Sequence, residues 1–200
     1  MNTPTKITVT RLFLTLIIIV LLCTPFSYFG FNFPSYDVNG VVVQVNFLIA
    51  GFIFIVASVT DFLDGYLARK NNQVTDTGKM LDAICDKALV NPILVILAAN
   101  GFIPIIIPVV IILRDIIVDA IKMESANKGT VVAAIKSGKI KTATMMVGLS
   151  LVFFYNIPFE FINIRVDLFF LFFATIMSIV SAIEYYKLNK NNIFSSTEIL

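Results

Sequence analysis

The sequence predicts an all-α integral membrane protein, a bundle of six transmembrane helices around a polar cavity that faces the cytoplasm. Three observations lead there. Of the 200 residues, 58% are hydrophobic, and the mean hydropathy is +0.91, where soluble domains hold apolar content to roughly 45–50%. The apolar residues gather into stretches approaching the roughly 20 residues that cross a bilayer. Between those stretches, lysine and arginine fall almost entirely on one alternating set of junctions. One domain spans residues 1–200, and the length leaves no room for a second. The net charge of +2 is small and carries no signature of nucleic-acid binding.

In chain order, residues 1–11 read as a polar interfacial segment before a first span from about Leu12 to Tyr28. Lys6 and Arg11 ahead of an apolar run imitate a signal peptide, but Leu22 is large where cleavage needs a small residue, so this span is read as retained. The stretch FGFNFPSYDVNG reads as a loop, from its Gly, Pro, Asn and Asp. A second span begins near Val43 and runs to the turn at 70–77; a third begins near Gly78 and reaches Ala99. Asn100-Gly101 turns the chain, and Pro104 opens a fourth span ending near Met123. SANKGTVVAAIKSGKIK is polar and basic, a loop or interfacial helix. A fifth span covers about Thr142 to Tyr155 and breaks at 156–158; a sixth covers Val166 to Tyr185, before a polar tail at 187–200.

Charge sets the orientation. Of 15 lysines and arginines, Arg165 alone falls on the side of the loops after spans one, three and five. Lys6, Arg11, Arg69, Lys70, Lys79, Lys122, Lys128, Lys136, Lys139, Lys141, Lys187 and Lys190 gather at the opposite ends. The positive-inside rule then puts both termini and the 70–77 turn in the cytoplasm. Cys23 and Cys85 lack metal-site spacing and read as buried free thiols. Histidine is absent, so general-base and metal-ligand work falls to carboxylates or lysines.

The chemistry concentrates in residues 61–86, DFLDGYLARKNNQVTDTGKMLDAICD. Asp61 and Asp64 are three apart, and Asp82 and Asp86 four apart, so on helices each pair shares a face. Asp61 lies nine residues before Lys70 and Asp86 nine after Thr77. In an antiparallel hairpin both lie about 13 Å from the turn, with Asp64 and Asp82 about halfway. Apolar stretches flank both pairs, and carboxylates in such surroundings are costly unless functional. Four close anions do not all stay ionised without cations, which implies bound metal. A calcium loop is excluded, because the alternating oxygen ligands and closing Glu are missing. Oxygen ligands suit Mg²⁺ or Mn²⁺, and the lack of His and of paired Cys argues against zinc.

The pattern Asp61-x-x-Asp64-Gly65-x-x-Ala68-Arg69, eight residues, Gly78-x-x-x-Asp82-x-x-x-Asp86 resembles the complete signature of the CDP-alcohol phosphatidyltransferase family. That resemblance implies a membrane enzyme, with the bacterial plasma membrane as its location, that moves a phosphatidyl group from CDP-diacylglycerol to an alcohol. It implies Asp61, Asp64 and Asp82 as ligands of two Mg²⁺ or Mn²⁺ ions, and Asp86 as a ligand or the general base. Gly65, Arg69, Gly78 and Thr75 would contact the nucleotide lipid. Thr8 and Arg11 would help hold it, or Arg11 is a simple positive anchor. The strings RDIIVDAIK, GTVVAA and GKIKT resemble the branch whose acceptor is sn-glycerol 3-phosphate, although that branch more often has Arg-Glu at 114–115 and Arg at 122.

Arg114 lies mid-span, at about the depth of Asp61 and Asp86. An isolated arginine there costs roughly 3 kcal/mol, so it is expected to face the polar cavity, with Asp115 able to orient it. Arg114, Lys139 and Lys141 are the candidate ligands of an acceptor phosphate; a counter-ion for the aspartates and plain membrane anchors are the plainer roles. Rival readings keep the chemistry and change the acceptor to inositol phosphate, serine or another lipid, or make the aspartates an ion path in a cation transporter. A transporter gives no reason for Gly65, Arg69 and Gly78 at their offsets. The sequence leaves the oligomeric state open, a homodimer included.

Overall fold

The computed structural model describes the backbone of residues 3–70, 76–128 and 135–194, and the side chains of 8–60, 84–126, 128 and 135–190. Among them are six α-helices: α1 (Thr3–Cys23), α2 (Val45–Lys70), α3 (Asp76–Ala99), α4 (Ile106–Asn127), α5 (Lys136–Phe153) and α6 (Val166–Phe194). The mostly helical expectation holds, and the boundaries shift in informative ways. α1 starts at Thr3, so the segment expected to lie at the interface is the first two turns of the helix, with Thr8 and Arg11 buried. α1 stops two residues before Pro25, which disfavours helix in the residue ahead of it. α5 begins at Lys136, which draws the basic GKIKT string into the helix. α6 runs on to Phe194, into the segment expected to be a polar tail.

One expected loop is partly a hairpin. β1 (Ser35–Val38) pairs antiparallel with β2 (Val41–Gln44), Val38 opposite Val41. Asn39 (φ 53°) and Gly40 (φ 87°) make the turn with both residues left-handed, the conformation that Asn-Gly adopts most readily. The Gln44 backbone N–H donates to the Tyr155 hydroxyl at 2.9 Å, tying the hairpin to the end of α5.

The helices form two groups: α1 packs on α2 and α3, and α6 packs on α4 and α5, while α2 meets α5 and α3 meets α4. The α2–α5 crossing is close. Phe54 and Phe153 stack tilted at 5.5 Å between centroids. A Cβ on Gly51 would lie 2.6 Å from the Phe153 Cβ. At the end of the bundle away from the aspartates, Asn156 Oδ1 accepts the Asp167 N–H at 3.2 Å and so satisfies a donor at the start of α6. Arg165 grips the Asp167 carboxylate at 3.0 and 2.9 Å, and this pairing raises its pKa further.

Around a hydrophobic core, both the buried charges and the apolar exterior depart from the pattern of a soluble bundle. Arg11, Thr15, Asp115, Lys141, Ser178 and Ser181 are buried, whereas Phe13, Leu16 and Val20 of α1, Phe52 and Val56 of α2, Leu113 and Ile117 of α4, and Phe169, Ile176 and Ile183 of α6 are exposed. Exposed apolar stripes on this scale require an apolar solvent. By length and composition Val166–Lys190 alone among the described helices suffices to cross a membrane unaided, at a mean hydropathy of 2.2; Thr8–Cys23 and Val45–Thr60 are apolar but shorter. α4 falls short because Arg114, Asp115, Asp119, Lys122 and Glu124 interrupt it.

The Gly51 contact sets a test of the packing. Gly51→Ala should lower stability by about 1–3 kcal/mol, because the rigid Phe153 Cβ leaves no space for the methyl group. A fall in the thermal unfolding midpoint of the detergent-solubilised protein checks it.

Candidate active site

The two aspartate-bearing segments are helical, as the spacing requires. Asp61, Asp64, Gly65 and Arg69 lie on the last turns of α2, and Gly78, Asp82 and Asp86 on the first turns of α3. Each pair therefore shares a helical face. The side chains of Asp61, Asp64, Arg69 and Asp82 lie outside the described residues, as does all of Thr75.

Asp86 is described in full, and its partner comes from α1. Arg11 Nη1 donates to Asp86 Oδ1 at 2.7 Å, with the Arg11 side chain 1% exposed and that of Asp86 42%. One residue earlier, Cys85 Sγ donates to the Thr8 carbonyl at 3.7 Å. Thr8 and Arg11, assigned to the nucleotide lipid from the sequence, are thus both buried where α1 crosses α3. The sequence did hold a signal for the ion pair: an arginine inside an otherwise apolar helix needs a counter-charge.

A second polar centre joins α4, α5 and α6. Asp115 Oδ1 accepts hydrogen bonds from both Arg114 Nη1 and Lys141 Nζ, each at 2.9 Å. Arg114 also donates from Nε to the Ser178 carbonyl at 3.2 Å and from Nη2 to Ser181 Oγ at 2.5 Å. Its guanidinium carbon lies 5.8 Å from the centre of the Tyr185 ring, which Lys122 approaches at 5.1 Å. The structure thus unites Arg114 and Lys141, two of the three cations assigned from the sequence to an acceptor phosphate, on the carboxylate of Asp115. Lys139 is not part of this cluster. Two residues along a helix is a rotation of about 200°, and Lys139 is exposed where Lys141 is buried. Each polar group of Arg114 is directed at Asp115 or α6, so its described counter-ion is Asp115.

The two centres are linked. Lys87 of α3, next to Asp86, pairs with Asp119 of α4. Asp119 lies one turn, about 6 Å, from Asp115 along α4. Ser178, Ser181, Tyr185, Lys87 and Asp119 were not singled out from the sequence; serines and a tyrosine on an apolar helix look like ordinary packing until a guanidinium is set against them. Among the described residues no group of three or more Asp, Glu or Cys converges on a single point as a metal site would. Carboxylates of the kind that α2 and α3 carry suit a hard divalent cation, and the partly open Asp86 is compatible with one. A cavity of about 330 Å³ at the other end, lined by Thr24, Ser27, Asn32, Gln44 and Asn46 with three phenylalanines, holds no ionisable group and is no candidate for the chemistry.

A family model described as CDP-alcohol phosphatidyltransferase matches residues 1–183. The chain is 36% identical over 188 residues to the CDP-diacylglycerol–glycerol-3-phosphate 3-phosphatidyltransferase of Bacillus subtilis (strain 168), covering 94% of this chain and 95% of that one. It is 33% identical over 193 residues to the protein of the same name from Haemophilus influenzae, covering 94% and 97%. A third, from Mycoplasma genitalium, is 42% identical over 107 residues, 54% of this chain and 45% of the relative.

The shared carboxylate sets a test of stability. Asp115→Ala leaves Arg114 and Lys141 as neighbouring, largely buried cations, and should destabilise the bundle by about 3 kcal/mol. Adding Lys141→Met should recover part of that loss in the same thermal unfolding measurement.

Proposed function

The chain belongs to the CDP-alcohol phosphatidyltransferase family, and from that premise we propose that it transfers the phosphatidyl group of CDP-diacylglycerol to sn-glycerol 3-phosphate, giving phosphatidylglycerophosphate and CMP. The observation that carries this reading is the similarity over nearly the full chain to relatives that bear the name of that activity, together with an aspartate signature divided between two consecutive helices. The apolar exterior and buried charges support a multi-pass arrangement. In it the six helices span the bilayer, both termini are cytoplasmic, and the aspartate cavity opens towards soluble phosphorylated substrates.

Asp61, Asp64 and Asp82, with Asp86 at the edge of the set, would hold two Mg²⁺ or Mn²⁺ ions. When bound, these supply charge neutralisation and orientation of the pyrophosphate. Arg69 pairs with the nucleotide phosphates, while Gly65 and Gly78 let the nucleotide approach the helices. The acceptor hydroxyl oxygen attacks the phosphorus that bears the diacylglycerol, the bond from that phosphorus to the oxygen of CMP breaks, and Asp86 receives the hydroxyl proton. Lys141 offers cationic N–H donors to the phosphate of the acceptor, and Arg114 would add the second N–H of Nη1 and of Nη2, which its bonds to Asp115 and Ser181 do not use. Their shared contact with Asp115 holds the pair ready before substrate arrives.

Purified protein given labelled CDP-diacylglycerol and Mg²⁺ should release CMP with glycerol 3-phosphate, and far less with serine or inositol phosphate. Robust turnover of either alternative would reassign the acceptor. Asp61→Asn and Asp82→Asn should each abolish turnover with an unchanged unfolding midpoint; near-normal activity at low Mg²⁺ would defeat the metal assignment.

The two lysines should separate. Lys141→Met is expected to raise the KM for glycerol 3-phosphate at least about tenfold, since a hydrogen bond to a charged group contributes about 1.5–3 kcal/mol. Lys139→Met, on the exposed side of α5, should leave that KM within about twofold, as surface substitutions usually do. Steady-state kinetics at saturating CDP-diacylglycerol reads both.

A further inference from the structure

Arg11 has no role in the mechanism above, yet it is paired with Asp86, which has one. Arg11 is 1% exposed on α1, the helix packed on both aspartate-bearing helices. Its Nη1 holds Asp86 Oδ1 at 2.7 Å while 42% of the Asp86 side-chain surface stays accessible. Beside it, Cys85 Sγ of α3 donates to the Thr8 carbonyl of α1 at 3.7 Å, a second contact across the α1–α3 crossing, while the Arg11 carbonyl accepts the Thr15 hydroxyl at 2.9 Å within α1.

We propose that Arg11 is a positioning residue, which clamps one carboxylate oxygen of Asp86 from the buried side and so sets the orientation in which Asp86 meets the acceptor hydroxyl. A carboxylate on a short side chain at a helix face rotates freely about its terminal bond unless something fixes it. A charge-assisted bond from a rigid, fully packed guanidinium does that without obstructing the open side. Asp86 in turn offsets the desolvation of the buried Arg11 guanidinium. This assignment rests on the reading of Asp86 as the proton acceptor. It differs from the expectation that Arg11 holds the nucleotide lipid, because here the guanidinium acts on the protein and the effect falls on turnover.

The experiment compares Arg11→Gln, Arg11→Lys, Asp86→Asn and the double variant Arg11→Gln/Asp86→Asn in detergent with Mg²⁺. It reads kcat, the KM for each substrate, and equilibrium binding of radiolabelled CDP-diacylglycerol without acceptor. Arg11→Gln should lower kcat about a hundredfold, the scale of a misplaced catalytic group, with CDP-diacylglycerol binding unchanged within about threefold. Arg11→Lys, which restores a cation but not the planar fork, should regain about tenfold of that loss. In the Asp86→Asn background the Arg11 change should add less than about twofold, because residues acting through one contact are not additive.

Loss of CDP-diacylglycerol binding with kcat retained would overturn the proposal and return Arg11 to the donor site. Multiplicative effects of the two single variants would also overturn it. If Arg11→Gln does not fold, Arg11→Lys decides alone: unchanged kcat overturns the proposal, and a fall of about tenfold with binding intact supports it. Full turnover by Asp86→Asn would instead defeat the proton-acceptor reading itself, and that outcome is distinct because it needs no Arg11 variant to appear.

Discussion

A guanidinium or ammonium group inside an apolar bundle is tolerated only beside a counter-charge, and this requirement organises the half of the molecule that carries the chemistry. Arg11 meets Asp86 across α1 and α3, Lys87 meets Asp119 across α3 and α4, and Lys141 meets Asp115 across α4 and α5. Each pair joins two different helices. The charges therefore hold the register of the bundle at the end where its core is least hydrophobic.

At the other end apolar contact takes over. Phe47, Phe102 and Tyr155 form an aromatic trio with centroids 4.8, 5.7 and 6.3 Å apart. Gly51 and Gly148 bring α2 and α6 close to α5. In an apolar solvent, burying apolar side chains yields little net driving force between helices, so small residues and close packing matter more there. The result is a firm base on one side and an ion-paired, partly open region on the other. That division suits the proposed activity, in which a lipid nucleotide and a phosphorylated alcohol would meet at the ion-paired end.

The cluster around Asp115 shows why two similar lysines differ. Lys139 and Lys141 look equivalent in the string GKIKT, and both satisfy a positive anchor. Once α5 begins at Lys136 rather than near Thr142, its rotation turns one lysine inward and the other outward. Arg114 follows the same logic: Ser178, Ser181 and Tyr185 of α6 shape its surroundings, and α6 lies more than sixty residues further along the chain.

The family, the membrane character and the aspartate pairs were legible in the sequence. Those features are local: hydropathy runs, carboxylates three and four residues apart, and glycines at set offsets survive whatever the helices pack against. Asn39-Gly40 was equally local, and it marked a hairpin where a loop was expected. Helix starts were less legible, because Thr3–Arg11 and Lys136–Lys141 are polar by composition yet helical, with Thr8, Arg11, Ser137 and Lys141 buried against other helices. The ion pairs belong wholly to tertiary structure. Arg11 and Asp86 stand 75 residues apart, and no spacing rule links them. Only the packing of α1 against α3 brings the two charges within reach, and the cost of burying either one alone keeps them there.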